Sequence, residues 1–140
     1  MKKVSVIYAT MTKHSRKLAE AVAAALEVSA QNIADKPTVG ETDLLFIVGG
    51  LYGGESMPEL LDYVSGLSSA QVKSAALITS SVSNKKGQES VRSRLEGKGI
   101  IVADEFHCLG NFIFVHLGHP NKTEVQNAVD FAVRLAQKEG

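Results

Sequence analysis

One cysteine in 140 residues excludes an internal disulfide framework, and no apolar stretch approaches the roughly 18 residues that a membrane-spanning helix needs. Fifteen basic residues stand against fifteen acidic ones, so total charge gives no argument for nucleic acid, an anionic membrane, or a strongly charged docking partner. Repeats, low-complexity tracts and linkers are missing as well. The chain opens with Met1-Lys2-Lys3 and then a short apolar run, without a long apolar signal segment, and the expected compartment is the cytoplasm. There is no GxxxxGK(S/T) and no GxGxxG, so nucleoside triphosphate hydrolysis and dinucleotide binding of the usual kind lose support. His107, His116 and His119 lack ligand spacing with any Cys or acid on a recognisable zinc pattern, and no Ser-His-Asp or paired-carboxylate arrangement follows from spacing. No metal and no catalytic residue are assigned.

The length suits a single domain, residues 1–140, with enough chain to bury a core without staples. Short apolar runs at Val4 to Ala9, Leu44 to Val48, Ala75 to Ile78 and Ile100 to Ala103 lack clean alternation and read as buried parallel strands. Val28 to Ile33 gives a further strand, and Phe112 to Val115 adds or extends an edge. Helical stripes lie between them. Leu18, Ala21, Val22, Ala25 and Leu26 form one, and Val125, Ala128, Val129, Ala132, Leu135 and Ala136 another. Leu60, Leu61, Val64 and Leu67 give a shorter helix after Pro58, and Val91 with Leu95 one before Gly97. Alternation of strand and helix predicts an α/β fold, an open doubly wound parallel sheet with helices on both faces. Ligands of such sheets sit beyond the carboxyl ends of the strands, where the winding reverses, so the loops after strands are the places to search.

The first of these loops, Thr10-Met11-Thr12-Lys13-His14-Ser15, follows the first strand and opens the first helix. Unpaired N–H groups and the positive end of the helix dipole favour an anion there, with hydroxyls at Thr10, Thr12 and Ser15 and positive potential from Lys13 and His14. The competing reading makes Thr12 or Ser15 a helix cap and the cations a solvated face. The loop has no cysteine, which disfavours a thiol phosphatase, and the third strand does not end in the carboxylate of a phospho-acceptor receiver.

The second loop is "VGGLYGGESMPELLDYV", residues 48 to 64. Gly50, Gly53 and Gly54 allow close backbone approach, and Tyr52, next to Leu51, offers a flat face; alone, the stretch reads equally as a tight turn with a half-buried tyrosine. With the first loop it takes on more meaning. Thr10-x-Thr12-x-x-Ser15 resembles the T-x-T-G-N-T phosphate loop of the flavodoxin family, and Leu51-Tyr52-Gly53-Gly54-Glu55 resembles that family's T-W-G-D-D ring loop. "EFHCLGNF" is similar to an E-F-x-C-x-G stretch, and "LGHPNKTEVQNAVDFAVRL" to a G-H-P-N-x-x-D segment and final helix, in short flavodoxin-like proteins. Lys13-His14 stand where the family has Gly-Asn, Gly54 stands for an acid, and the chain is neutral where electron-carrying flavodoxins are acidic.

The resemblance spans essentially the whole chain and implies a five-stranded sheet of order 2-1-3-4-5 that binds FMN. The implied cofactor residues are Thr10, Met11, Thr12, Lys13, His14 and Ser15 around the phosphate, and Gly50, Leu51, Tyr52, Gly53 and Gly54 against the ring. Thr79, Ser80 and Ser81 cover its other face, at the head of a third loop that runs to Asn84 and has no aromatic residue. Lys85-Lys86-Gly87 reads as a solvated turn, and Cys108 as a small buried hydrophobe or a residue of the flavin rim. The implied activity is one-electron transport between a flavoprotein reductase and an electron acceptor, by a monomer or weak dimer that binds no nucleic acid. The alternatives are a small FMN-dependent reductase acting on a quinone, pigment or similar molecule, and a flavodoxin-like binding module without cofactor.

Overall fold

A computed structural model of the chain describes residues 3–9, 13–52, 55–81, 88–109 and 122–137. Strand β1 (Val4–Ala9) leads into helix α1 (Lys13–Ala25), then β2 (Ala30–Asn32) and a single 3-10 turn (Ile33–Asp35). The chain continues through β3 (Thr42–Tyr52), β4 (Glu55–Ser56), α2 (Pro58–Ser65), β5 (Val72–Ser81), α3 (Glu89–Gly97), β6 (Ile101–Leu109) and α4 (Lys122–Gln137). Five strands run parallel in the order β2-β1-β3-β5-β6, and the two-residue β4 folds back antiparallel on the end of β3.

The strands are apolar on both faces because each face carries its own core. Val6, Tyr8, Leu44, Phe46, Val48 and Ile78 pack under Leu18 and Val22 of α1 and Phe131 and Ala132 of α4. The alternate residues Ile7, Leu45, Ile47, Ala75 and Leu77 pack under Leu60 and Val64 of α2 and Val91 and Leu95 of α3. The helix stripes expected from the sequence supply these layers, except that α1 buries Ala19 and Ala23 beside Leu18 and Val22 and leaves Ala25 exposed. Leu67, expected within α2, lies two residues beyond its end and is still buried. Among the described residues, no helix is long and apolar enough to cross a membrane.

Three strands run further than their apolar runs. β3 reaches Tyr52, β5 reaches Ser81, and β6 reaches Leu109, six residues past the expected end at Ala103. The expected strand at Phe112 to Val115 lies outside the described residues. β6 also carries a bulge: Ala75 pairs with Val102 but Ala76 pairs with Asp104, which leaves Ala103 unpaired. An extra residue inverts the facing of everything beyond it. Phe106 consequently joins the α1/α4 core, 5.4 Å from the ring centroid of Phe131, and Glu105 is turned toward α3.

Candidate functional site

Strand register brings the three loops to one level. Ala9 of β1 pairs with Gly49 of β3, Gly49 with Thr79 of β5, and Thr79 with His107 of β6. In the next row Gly50 pairs with Ser80 and Ser80 with Cys108. The loops that follow β1, β3 and β5 therefore leave adjacent strands at the same carboxyl edge. It is also where the winding reverses, since α1 covers one face after β1 and α2 the other after β3.

Helix α1 begins three residues after β1, with Lys13, His14 and Ser15 in its first turn and no acidic residue there. Helices α2 and α3 each carry a glutamate in that turn, Glu59 and Glu89. The positive end of the α1 dipole thus has no carboxylate of its own to offset it. Ser15 is buried. Thr10, Met11 and Thr12 lie outside the described residues.

In the second loop, Tyr52 pairs with Glu55 and Leu51 with Ser56, so the chain between the paired residues consists of Gly53 and Gly54 alone. Those two residues lie outside the described set. Gly49 and Gly50 are buried within β3. A Cβ on Gly49 would stand 3.1 Å from Gln88 Oε1 and 3.1 Å from Leu60 Cδ2, so glycine here makes room for the Gln88 amide.

That amide belongs to a polar cluster which sequence reading did not find. Gln88, fully buried just before α3, donates through Nε2 to the carbonyl of Ile78 (3.2 Å), to Thr79 Oγ1 (3.2 Å) and at 3.4 Å to the carbonyl of Ile47. Two carbonyls fix the orientation of the amide, since a flipped group would set oxygen against oxygen. Glu105 Oε2 accepts from the Thr79 hydroxyl (2.7 Å) and from the Gln88 backbone N–H (2.8 Å), while Oε1 accepts from Arg92 Nη2 at 3.2 Å. His107 Nε2 stands 3.2 Å from Glu105 Oε2 but out of line for a hydrogen bond, and the contact attracts only when the imidazole is protonated. Burial pushes the Glu105 carboxyl up; the Thr79 hydroxyl, the Gln88 backbone N–H, Arg92 and His107 outweigh it and hold the group below its ordinary value. The signal in the sequence was the E-F-x-C stretch, whose glutamate takes its hydrogen-bond partners from 13 to 26 residues away.

Two other features remain. A cavity of about 650 Å³ between the segment after β2 and helix α2 is lined by Ile33, Pro37, Val39, Tyr63 and Leu67 with Lys36, Glu59 and Asp62, and shares no residue with the cofactor positions expected from the sequence. His116, His119, Lys85, Lys86 and Gly87 lie outside the described residues, and among the described ones no group of three His, Cys, Asp or Glu side chains could hold a metal ion.

No protein-family model and no curated protein matches the chain. Solved structures do. Flavodoxin 2 from Bacillus cereus superposes with a TM-score of 0.71 over 98% of this chain and 99% of its own, at 17% identity. A flavodoxin from Streptococcus pneumoniae gives 0.69 over 97% and 99%, also at 17% identity. The fold is flavodoxin-like. An NAD(P)H:quinone oxidoreductase from Methanothermobacter marburgensis shares the flavodoxin-like fold too, with a TM-score of 0.65 over 99% of this chain and 98% of its own at 12% identity.

Proposed function

We propose that the protein binds FMN at the carboxyl edge of β1, β3 and β5 and serves as a one-electron carrier between a reductase and an acceptor protein. The observation that carries this reading is the shared row Ala9, Gly49, Thr79, which sets the three loops around one space. The donor set fits the cofactor. A helix N-terminus without its own acid, and with Ser15 in its first turn, suits a terminal phosphate. Thr10, Met11, Thr12, Lys13 and His14 complete that end.

Gly50, Leu51, Tyr52, Gly53 and Gly54 hold one face of the ring, with Tyr52 as the stacking residue. Thr79, Ser80 and Ser81 begin the segment that covers the other. Bound FMN supplies one- and two-electron redox chemistry at its ring; the protein orients it, limits water and tunes its potentials. A two-residue hairpin connection is normally a type I′ or II′ turn, and both need φ > 0 at the first central position, where Gly53 meets the need without strain.

A second reading is a small FMN-dependent reductase acting on a quinone or similar small molecule. The neutral charge favours it, and so does the fold shared with a quinone oxidoreductase. Anaerobic reductive titration of the FMN-loaded protein separates the two. Reduction in two resolved one-electron waves is expected of the carrier, whereas a single two-electron wave with rapid turnover of quinone would overturn it.

A further inference from the structure

Glu105 joins two separate points of the chain. Thr79 lies on β5 two residues before that strand ends at Ser81, and Gln88 is the residue at which the described chain resumes, immediately ahead of α3. The Thr79 hydroxyl and the Gln88 N–H donate to the same carboxylate oxygen, at 2.7 and 2.8 Å. The other oxygen is held by Arg92 at 3.2 Å, which fixes the plane of the carboxylate. Gln88 Nε2 then donates to Thr79 Oγ1 at 3.2 Å, closing a small ring of three residues through the Gln88 backbone N–H. The glutamate itself comes from β6, an edge strand, and is only 11% exposed.

From this arrangement we propose that Glu105 is a positioning residue for the flavin site: it fastens Thr79 near the end of β5 and Gln88 at the start of α3 to β6, and so sets where Thr79 stands toward the ring. The consequence for the ring rests on the FMN reading above, and the fastening itself does not. A carboxylate that only stabilised the α3 N-terminus would need the Gln88 contact alone. The shared oxygen makes Thr79 and Gln88 dependent on one another, so loss of the carboxylate frees both residues together. The effect belongs to the ring and not to the phosphate, because the phosphate end is built by α1, on the opposite face of the sheet from α3.

The test compares Glu105→Ala with Glu105→Gln, with and without FMN. Glu105→Gln retains an oxygen for Thr79 and Gln88 and gives up the charge contacts with Arg92 and His107. Amide exchange at Gln88 and in the first turn of α3 should quicken at least about tenfold in Glu105→Ala, the equivalent of ~1.4 kcal/mol, while amides of β1 and α1 keep their protection. Glu105→Gln should stay close to the parent. In fluorescence titrations Glu105→Ala should weaken FMN and riboflavin by the same factor, which a purely structural role would not do at a temperature where the variant is folded. Should Glu105→Ala fail to fold, Thr79→Val removes one arm of the anchor and is expected to quicken amide exchange at Gln88. Unchanged Gln88 exchange and unchanged ligand affinity in the folded variants would overturn the proposal. If the parent protein itself bound no flavin, the FMN reading would fall and the exchange arm would still decide whether Glu105 fastens Thr79 and Gln88.

Discussion

An alanine methyl at position 49 meets two groups at 3.1 Å, Gln88 Oε1 and Leu60 Cδ2. Neither can yield freely. Gln88 is tied by its Nε2 to Ile78, Thr79 and Ile47, and Leu60 is fully buried in the core under α2. Gly49→Ala is therefore expected to destabilise the protein by about 1–3 kcal/mol, the usual cost of overpacking. It should show as a lower urea midpoint with an unchanged slope. Adding Gln88→Ala should make Gly49→Ala less costly than it is in the parent, because one of the two groups that the methyl meets is then gone and Leu60 alone remains. Strict additivity in that double-mutant cycle would mean that the amide and the glycine are not fitted to one another.

At the scale of elements, the bulge at Ala103 decides which face of β6 serves the site. If Ala103 paired with Ala76, Glu105 would stand opposite Ile78, an uncompensated charge against the apolar α1/α4 core that costs roughly 3–5 kcal/mol. Deleting Ala103 would restore regular pairing and leave Glu105 opposite Leu77 and Phe106 opposite Ile78, each on the face it already occupies. The deletion should therefore cost well under that amount in chemical denaturation. A loss of about 3–5 kcal/mol, as if Glu105 had turned into the core, would contradict this account of the bulge. The same strand shows what was legible in the sequence. The apolar middles of β3 and β5 were plain, but their polar and glycine-rich ends looked like turns, although the ladder hydrogen bonds continue through Gly50 and Ser80. In β6 the apolar run ends at Ala103, and nothing local extends the strand through Glu105, because its hydrogen-bond partners lie 13 to 26 residues away, a distance no local pattern reports.

For the whole molecule, order and winding of the sheet followed from strand and helix alternation together with the family resemblance, since right-handed crossovers leave few arrangements for such a chain. The convergence of the loops was legible as well: each was marked by composition, hydroxyls and cations in the first, paired glycines around Tyr52 in the second, Thr79-Ser80-Ser81 in the third. The cluster of Gln88, Arg92, Glu105 and His107 was not, because it is assembled by register and a bulge. The central claim is that this edge holds a phosphorylated flavin, and calorimetric titration of the protein with FMN, riboflavin and FAD tests it most directly. FMN should bind more tightly than riboflavin by roughly one to two powers of ten, as one charge-assisted hydrogen bond worth ~1.5–3 kcal/mol would provide. FAD should be excluded for want of a second nucleotide site. Equal affinity for FMN and riboflavin would contradict the assignment of the α1 N-terminus to the phosphate.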